Sequence, residues 1–158
     1  MCVKKKSDLR DLVVATLQSV VHATKIRQIK DLHFMVLLRT KMAKKYVFVR
    51  IALLTPSVTF DQVSIKDFSV PTERQMVRIL NQIDMCIKYD KPVYMHCWGG
   101  KGRTGTVIGC YLARHGFAAG NDVIEKIKEL RKNTEDCSDH SPETRKQINM
   151  VINWTEGL

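Results

Sequence analysis

The sequence predicts an α/β fold, a central and mainly parallel sheet flanked by helices. Three stretches predict it. Gln62 to His96 reads as strand, loop, helix and strand, the unit whose two strands run parallel through a right-handed crossover. Pro92 to Met95 leads into a glycine-rich turn, and an apolar helical pattern leads out of that turn towards His115. Two more helical patterns follow, at 122–132 and from 141 onward. With 158 residues, 44% of them apolar and 27% charged, the chain has the size and composition of one globular domain with a sizeable core.

The first 60 residues differ in composition from the rest. They hold 12 Lys or Arg against 3 Asp and no Glu, whereas residues 61–158 hold 14 basic against 13 acidic side chains. All eight glycines lie beyond residue 98. The chain therefore divides into a basic N-terminal region, 1–60, packed on the same domain as 61–158. In the first region Ser7 caps a predicted helix, with Leu9, Leu12, Val13, Leu17, Val20 and Val21 at helical spacing. Asp31 to Thr40 is an apolar run compatible with helix or strand. Tyr46 to Leu54 reads as a strand, closed by Pro56. A net charge of +10 invites nucleic acid or an acidic membrane as partner. No aromatic stacking pattern accompanies the basic residues, so a solvated face is the expectation and no nucleic-acid partner is expected.

From Asp61 each element has a local reason. Gln62-Val63-Ser64-Ile65 alternates as a strand does, and Asp67 to Pro71 is a loop. Thr72 and Gln75 form a capping box, and Met76, Ile79, Leu80, Ile83 and Ile87 line one face of a helix running to Tyr89. Asp90-Lys91-Pro92 ends it, and Val93 to His96 is the next strand. Parallel strands bring the Asp67 loop and the turn after His96 to one edge of the sheet, where open α/β sheets bind ligands. The helix from Thr104 to His115 buries Val107, Ile108, Tyr111 and Leu112 and is ended by Gly116. Asp122 to Lys132 turns Val123, Ile127 and Leu130 inward, and Asn133 to His140 is a polar loop. Ser141-Pro142-Glu143 predicts the start of the last helix, packed by Ile148, Val151, Ile152 and Trp154.

The turn His96-Cys97-Trp98-Gly99-Gly100-Lys101-Gly102-Arg103-Thr104-Gly105 carries the chemistry. Glycines let the backbone N–H groups of Trp98 through Arg103 point inward. The following helix N-terminus adds unpaired N–H groups and a positive dipole end. Arg103 adds a planar fork of donors suited to phosphate. Such a positive field favours the thiolate form of Cys97. A phosphate cradle with a nucleophile at its base points to phosphoryl transfer to sulfur.

His96-Cys97, five residues, then Arg103-Thr104 resembles the signature loop of the cysteine-dependent protein tyrosine phosphatases. The Gly102-Arg103-Thr104-Gly105 ending resembles the dual-specificity branch. The resemblance covers residues 61–156. The branch opens with a strand pair and a strand–helix unit carrying Gly and Pro turns, which residues 1–60 lack, so the fold expected is phosphatase-like with an atypical N-terminal region. The resemblance implies that Cys97 forms a phosphocysteine, that Arg103 holds two phosphate oxygens and that His96 supports the loop. The Thr104 hydroxyl is placed to bond the sulfur, its other reading being a helix N-cap. Asp67 is the expected general acid: the strand–loop–helix–strand unit brings it beside Cys97, and Asp67-x-x-x-Pro71 is similar to the acid loop of several dual-specificity and lipid phosphatases. Asp61 is the reserve, and Asp84 and Asp90 lie on and after the helix. Gln147 is similar to a family glutamine that positions the hydrolytic water, its other reading being a solvent-facing helical side chain. Lys101, inside the loop, resembles loops of phosphatases that act on inositol phosphates.

The implied function is a phosphomonoester hydrolase with phosphotyrosine or dual-specificity protein substrates. Two alternatives stand beside it: an inositol-phosphate or phosphoinositide phosphatase, and a phosphate-binding module with weak turnover. The expected partner is thus a phosphorylated protein or an acidic phosphate compound; the sequence assigns no oligomeric state. No cofactor and no metal are expected, because Arg103 and the loop N–H groups take the metal's part and no His/Asp/Glu cluster has ligand spacing. The five cysteines, Cys2, Cys86, Cys97, Cys110 and Cys137, are odd in number and lack paired spacing. They are expected as reduced thiols in a cytoplasmic or nuclear setting. Cys86 and Cys110 are expected to pack the core, with resolution of an oxidised Cys97 as the alternative. No stretch approaches the roughly 20 apolar residues of a membrane span.

Overall fold

A computed structural model describes residues 34–39, 59–89, 93–134 and 136–157. The predicted helix after Ser7, the strand at 46–54 and the Asp90–Pro92 breaker lie outside those residues. Three strands, β1 (Phe34–Arg39), β2 (Thr59–Ser64) and β3 (Val93–His96), form a sheet in the order β2-β1-β3. Both pairings are parallel, with Phe34 opposite Thr59 on one side and Val93 on the other. Within the undecided apolar run at 31–40, Phe34–Arg39 is thus the central strand among the described residues. Such strands are apolar without alternation, because helices cover both faces. It also lies between β2 and β3, so the predicted crossover skips one strand while keeping both strand ends on the same edge.

Helix α1 (Glu73–Lys88) starts at Thr72, whose side chain accepts from Gln75 N while Gln75 closes the box on the Thr72 backbone. It buries Met76, Ile79, Leu80, Ile83 and, beyond the predicted stripe, Cys86. Helix α2 (Arg103–Arg114) is buried over almost its whole length, consistent with a position inside the fold, and ends at Gly116 with φ 65°. Helix α3 (Asp122–Arg131) buries Val123 and Ile127. Helix α4 (Arg145–Ile152) buries Gln147 and Val151, with Trp154 just past its end. No described helix is long and apolar enough to cross a membrane.

The last helix corrects the sequence expectation. Ser141-Pro142-Glu143 does not begin it: Thr144 is the N-cap, in a capping box with Gln147. The Ser141–Pro142 peptide is cis, and the Ser141 hydroxyl donates to Lys101 O at 2.8 Å. Two glycines of α2 explain how this segment comes so close. A Cβ on Gly105 would lie 2.2 Å from Ser141 Oγ, and one on Gly109 would lie 2.6 and 2.7 Å from the two γ-carbons of Val151. One turn apart, they form the groove into which α4 and its leading segment pack.

Gly109→Ala therefore tests the packing. Helix propensity favours alanine by about 1 kcal/mol, but overpacking against a β-branched side chain costs about 1–3 kcal/mol. The expected outcome is a lower melting temperature, partly restored by adding Val151→Ala. An unchanged or raised melting temperature in the single variant would contradict the close approach.

Candidate active site

The site is built on the carboxyl edge of the sheet. β3 ends at His96, buried Cys97 follows, and the chain turns through Trp98–Gly102 into α2. Gly100 takes φ 70°, a conformation that any other residue would occupy under strain. Gly102 is the N-cap of α2 and supplies no side-chain cap. α1 and α4, by contrast, both begin with a threonine capping box. The positive end of α2 is thus left to whatever occupies the loop. Behind the loop its carbonyls are taken: Gly105 N and Ser141 Oγ donate to Lys101 O, and Thr106 N and Oγ1 donate to Gly102 O.

Arg103, 3% exposed, joins this loop to the loop after β2. Its Nη2 lies 3.0 Å from Asp67 Oδ1, and its Nη1 donates to Ile65 O at 3.4 Å. A buried guanidinium needs partners, and these two hold the fork towards the Asp67 loop. Asp67 Oδ1 also accepts from Phe68 N at 3.2 Å, and Ser69 N donates back to Lys66 O. Phe68 occupies positive φ, 55°, uncommon for a bulky residue. Two bonds from the start of α4 reach this turn: Thr144 Oγ1 donates to Phe68 O at 3.3 Å and Gln147 Nε2 to Ser69 O at 3.1 Å.

The other sequence-predicted residues are distributed as follows. Gln147 is not solvent-facing but 1% exposed, its Oε1 accepting from Glu143 N and Thr144 N. It packs beside Gly102, where a Cβ would lie 3.3 Å from its amide. Thr104 is not the N-cap but the second residue of α2, fully buried. Its hydroxyl has no hydrogen-bond partner among the described residues, a buried donor left available at the base of the site. His96 Nδ1 lies 3.2 Å from Cys97 O, and burial holds its imidazole below the usual histidine range. Lys101 turns its ammonium to Asp139 at 2.6 Å. That bond raises the lysine and lowers the aspartate, each from its ordinary value. Trp98 stands exposed on the rim. The reserve acid, Asp61, lies within β2 and is held by Arg78 and Gln82. Asp84 pairs with Arg114 and His115. Cys86 and Cys110 lie in the core, and burial pushes the Cys110 thiol far up.

Sequence reasoning missed Arg131. It is 2% exposed and donates to Asp139 O at 2.6 Å and Asp136 O at 2.9 Å, with its Nη2 also 2.9 Å from the Asp136 carboxylate. It shapes the loop that presents Asp139 to Lys101. An arginine ending an amphipathic helix normally reads as solvent-facing, and its backbone acceptors leave no trace in residue types. Thr144 could have been found, because Thr144-x-x-Gln147 repeats the pattern read at Thr72.

Comparison with known proteins places this geometry. The family model described as polymorphic toxin system, DSP-PTPase phosphatase matches residues 9–117. The chain belongs to this family. The match begins well ahead of residue 61, where the sequence reading began the resemblance. An uncharacterized protein of Methanocaldococcus jannaschii is 32% identical over 92 residues, 58% of this chain and 52% of that protein. The human dual specificity protein phosphatase CDC14C is 41% identical over 65 residues, 41% of this chain and 14% of that protein. The chain thus spans about half or less of the length of these curated relatives. Among solved structures, Tk-PTP in the active form superposes with a TM-score of 0.64 at 23% identity, covering 84% of this chain and 85% of that one. PTPMT1 in complex with PI(5)P gives a TM-score of 0.64 at 14% identity, covering 87% and 85%. Both share the fold.

The buried His96 predicts a pH dependence. Its folded-state value lies below 6.5, so the unfolded chain takes up the proton first. The stability this contributes is full above pH 6.5 and is lost as pH falls from there through the folded-state value. Melting temperatures taken from pH 7.5 to 5.5 are expected to fall less steeply in His96→Asn than in the wild type. Equal slopes would remove the argument.

Proposed function

We propose that the chain hydrolyses phosphomonoesters through a phosphocysteine intermediate, with phosphotyrosine or dual-specificity protein substrates. The observation that carries this reading is the contact between Asp67 and Arg103. It puts a carboxyl group, a guanidinium and, through the five-residue loop before Arg103, Cys97 at one edge of the sheet.

In the first step the Cys97 thiolate attacks phosphorus. The S–P bond forms, the P–O bond to the leaving group breaks, and Asp67 gives its proton to the departing oxygen. Arg103 and the N–H groups of Trp98 to Arg103 hold the equatorial oxygens as charge spreads over them. His96 supports the loop, and the unpartnered Thr104 hydroxyl is available to the sulfur as it leaves. In the second step the Asp67 carboxylate takes a proton from water, whose oxygen attacks phosphorus. The S–P bond breaks, and phosphate and the thiolate are released. Gln147, buried against Gly102, is close enough to the loop to help orient that water. The setting proposed is cytoplasmic.

A second reading rests on Lys101. With its ammonium released from Asp139 it would serve a more acidic phosphate compound, and a fold neighbour, PTPMT1, was solved with PI(5)P. Under this reading Lys101→Ala spares an aryl phosphate and cuts inositol-phosphate turnover; equal effects on both would dismiss it.

Cys97→Ser is expected to abolish turnover of an aryl phosphate while phosphate-analogue binding survives. A binding module with weak turnover would instead lose little. Asp67→Ala is expected to slow esters with poor leaving groups by about 10²–10⁴-fold, the usual contribution of a general acid. It should spare good leaving groups and remove the fall in rate on the alkaline side of the pH profile. Uniform slowing of all esters would place the acid elsewhere.

A further inference from the structure

The loop of the proposed acid is held from outside itself. Phe68, next to Asp67, sits at φ 55°, and a non-glycine residue keeps such a conformation only where the surroundings impose it. The surroundings here are the first turn of α4. Thr144 Oγ1 donates to Phe68 O, and Gln147 Nε2 donates to Ser69 O. The same two side chains cap α4, since Thr144 Oγ1 accepts from Gln147 N and Gln147 Oε1 accepts from Thr144 N. Each therefore works in both directions, donating outward to the acid loop and accepting from its own helix.

We propose that Thr144 is a positioning residue for the reaction: its hydroxyl proton, given to Phe68 O, fixes the turn that aims the Asp67 carboxyl at the leaving group. The inference rests on Asp67 being the general acid. Thr144 lies beyond residues 9–117, which the family model matches. Seven residues on, α4 is locked to α2 by Val151 against Gly109. Since α2 begins at Arg103, the acid loop is referenced to the signature loop through α4. The ion pair between Asp67 and Arg103 cannot serve that purpose alone, because a bound phosphate competes for the guanidinium.

The two roles of the hydroxyl are separable. A carboxylate caps a helix as well as a threonine does but has no proton to donate. Thr144→Asp keeps the cap and loses the bond to Phe68 O, Thr144→Ser keeps both, and Thr144→Val loses both. Each is measured for melting temperature and for kcat/KM on 4-nitrophenyl phosphate, a good leaving group, and phenyl phosphate, a poor one, with Asp67→Ala alongside.

The expected result for Thr144→Asp is a near-native melting temperature, little change on 4-nitrophenyl phosphate and a loss of about 10-fold or more on phenyl phosphate, part of what a general acid supplies. Thr144→Ser restores the phenyl phosphate rate, and Thr144→Val shows the same selective loss with a lower melting temperature. If Asp67→Ala is selective for the poor leaving group and Thr144→Asp is not, the positioning role is overturned while the general-acid reading stands. If Asp67→Ala itself shows no selectivity, both fall together.

Discussion

One buried cation organises the site. Arg103 sits at the first position of α2 with its guanidinium almost fully enclosed, and a charge so placed must be met by acceptors. Ile65 O and the Asp67 carboxylate meet it. Both belong to the segment leaving β2, while Arg103 belongs to the segment leaving β3. The pairing is possible because both strands run parallel to β1 between them. An anion entering the loop would replace the carboxylate as partner without uncovering the charge. The pairing with Asp67 and the proposed catalytic arrangement thus use the same fork of donors.

The back of the molecule keeps that fork in place. α2 lacks side chains at Gly105 and Gly109, and Ser141 and Val151 fill the space. Ser141 binds the Lys101 carbonyl, Gln147 packs on Gly102, and Thr144 and Gln147 reach the turn after Asp67. α4 and its leading segment therefore touch both loops at once. The packing of a helix with no proposed catalytic side chain of its own, Gln147 apart, fixes the spacing between loops 30 residues distant in sequence.

Much of this was legible in the residues. The capping box at Thr72, the strand at Val93–His96 and the glycine turn after it follow local rules that the tertiary structure leaves intact. Other features were hidden for physical reasons. β1 carries no alternation because its place in the sheet is central, so its period could not be read. Ser141-Pro142-Glu143 has a helix-start composition, yet its serine is recruited by the Lys101 carbonyl, and the start passes to Thr144. Gln147 and Arg131 are polar residues on amphipathic helices, normally solvated. Their burial depends on backbone partners, carbonyls for Arg131 and both carbonyl and N–H groups for Gln147, which are the same in every sequence. That the Asp67 loop meets the turn after His96 was legible from topology, which brings both to one edge of the sheet.

The segment after α3 shows a different consequence. It is a polar stretch, and connecting segments of that kind usually absorb length changes between relatives. Here its carbonyls at Asp136 and Asp139 are ligands of the buried Arg131, and the Asp139 carboxylate engages Lys101. Adding or removing one residue would shift both carbonyls and strand a guanidinium in the interior. The length of this surface segment is set by a cation it encloses.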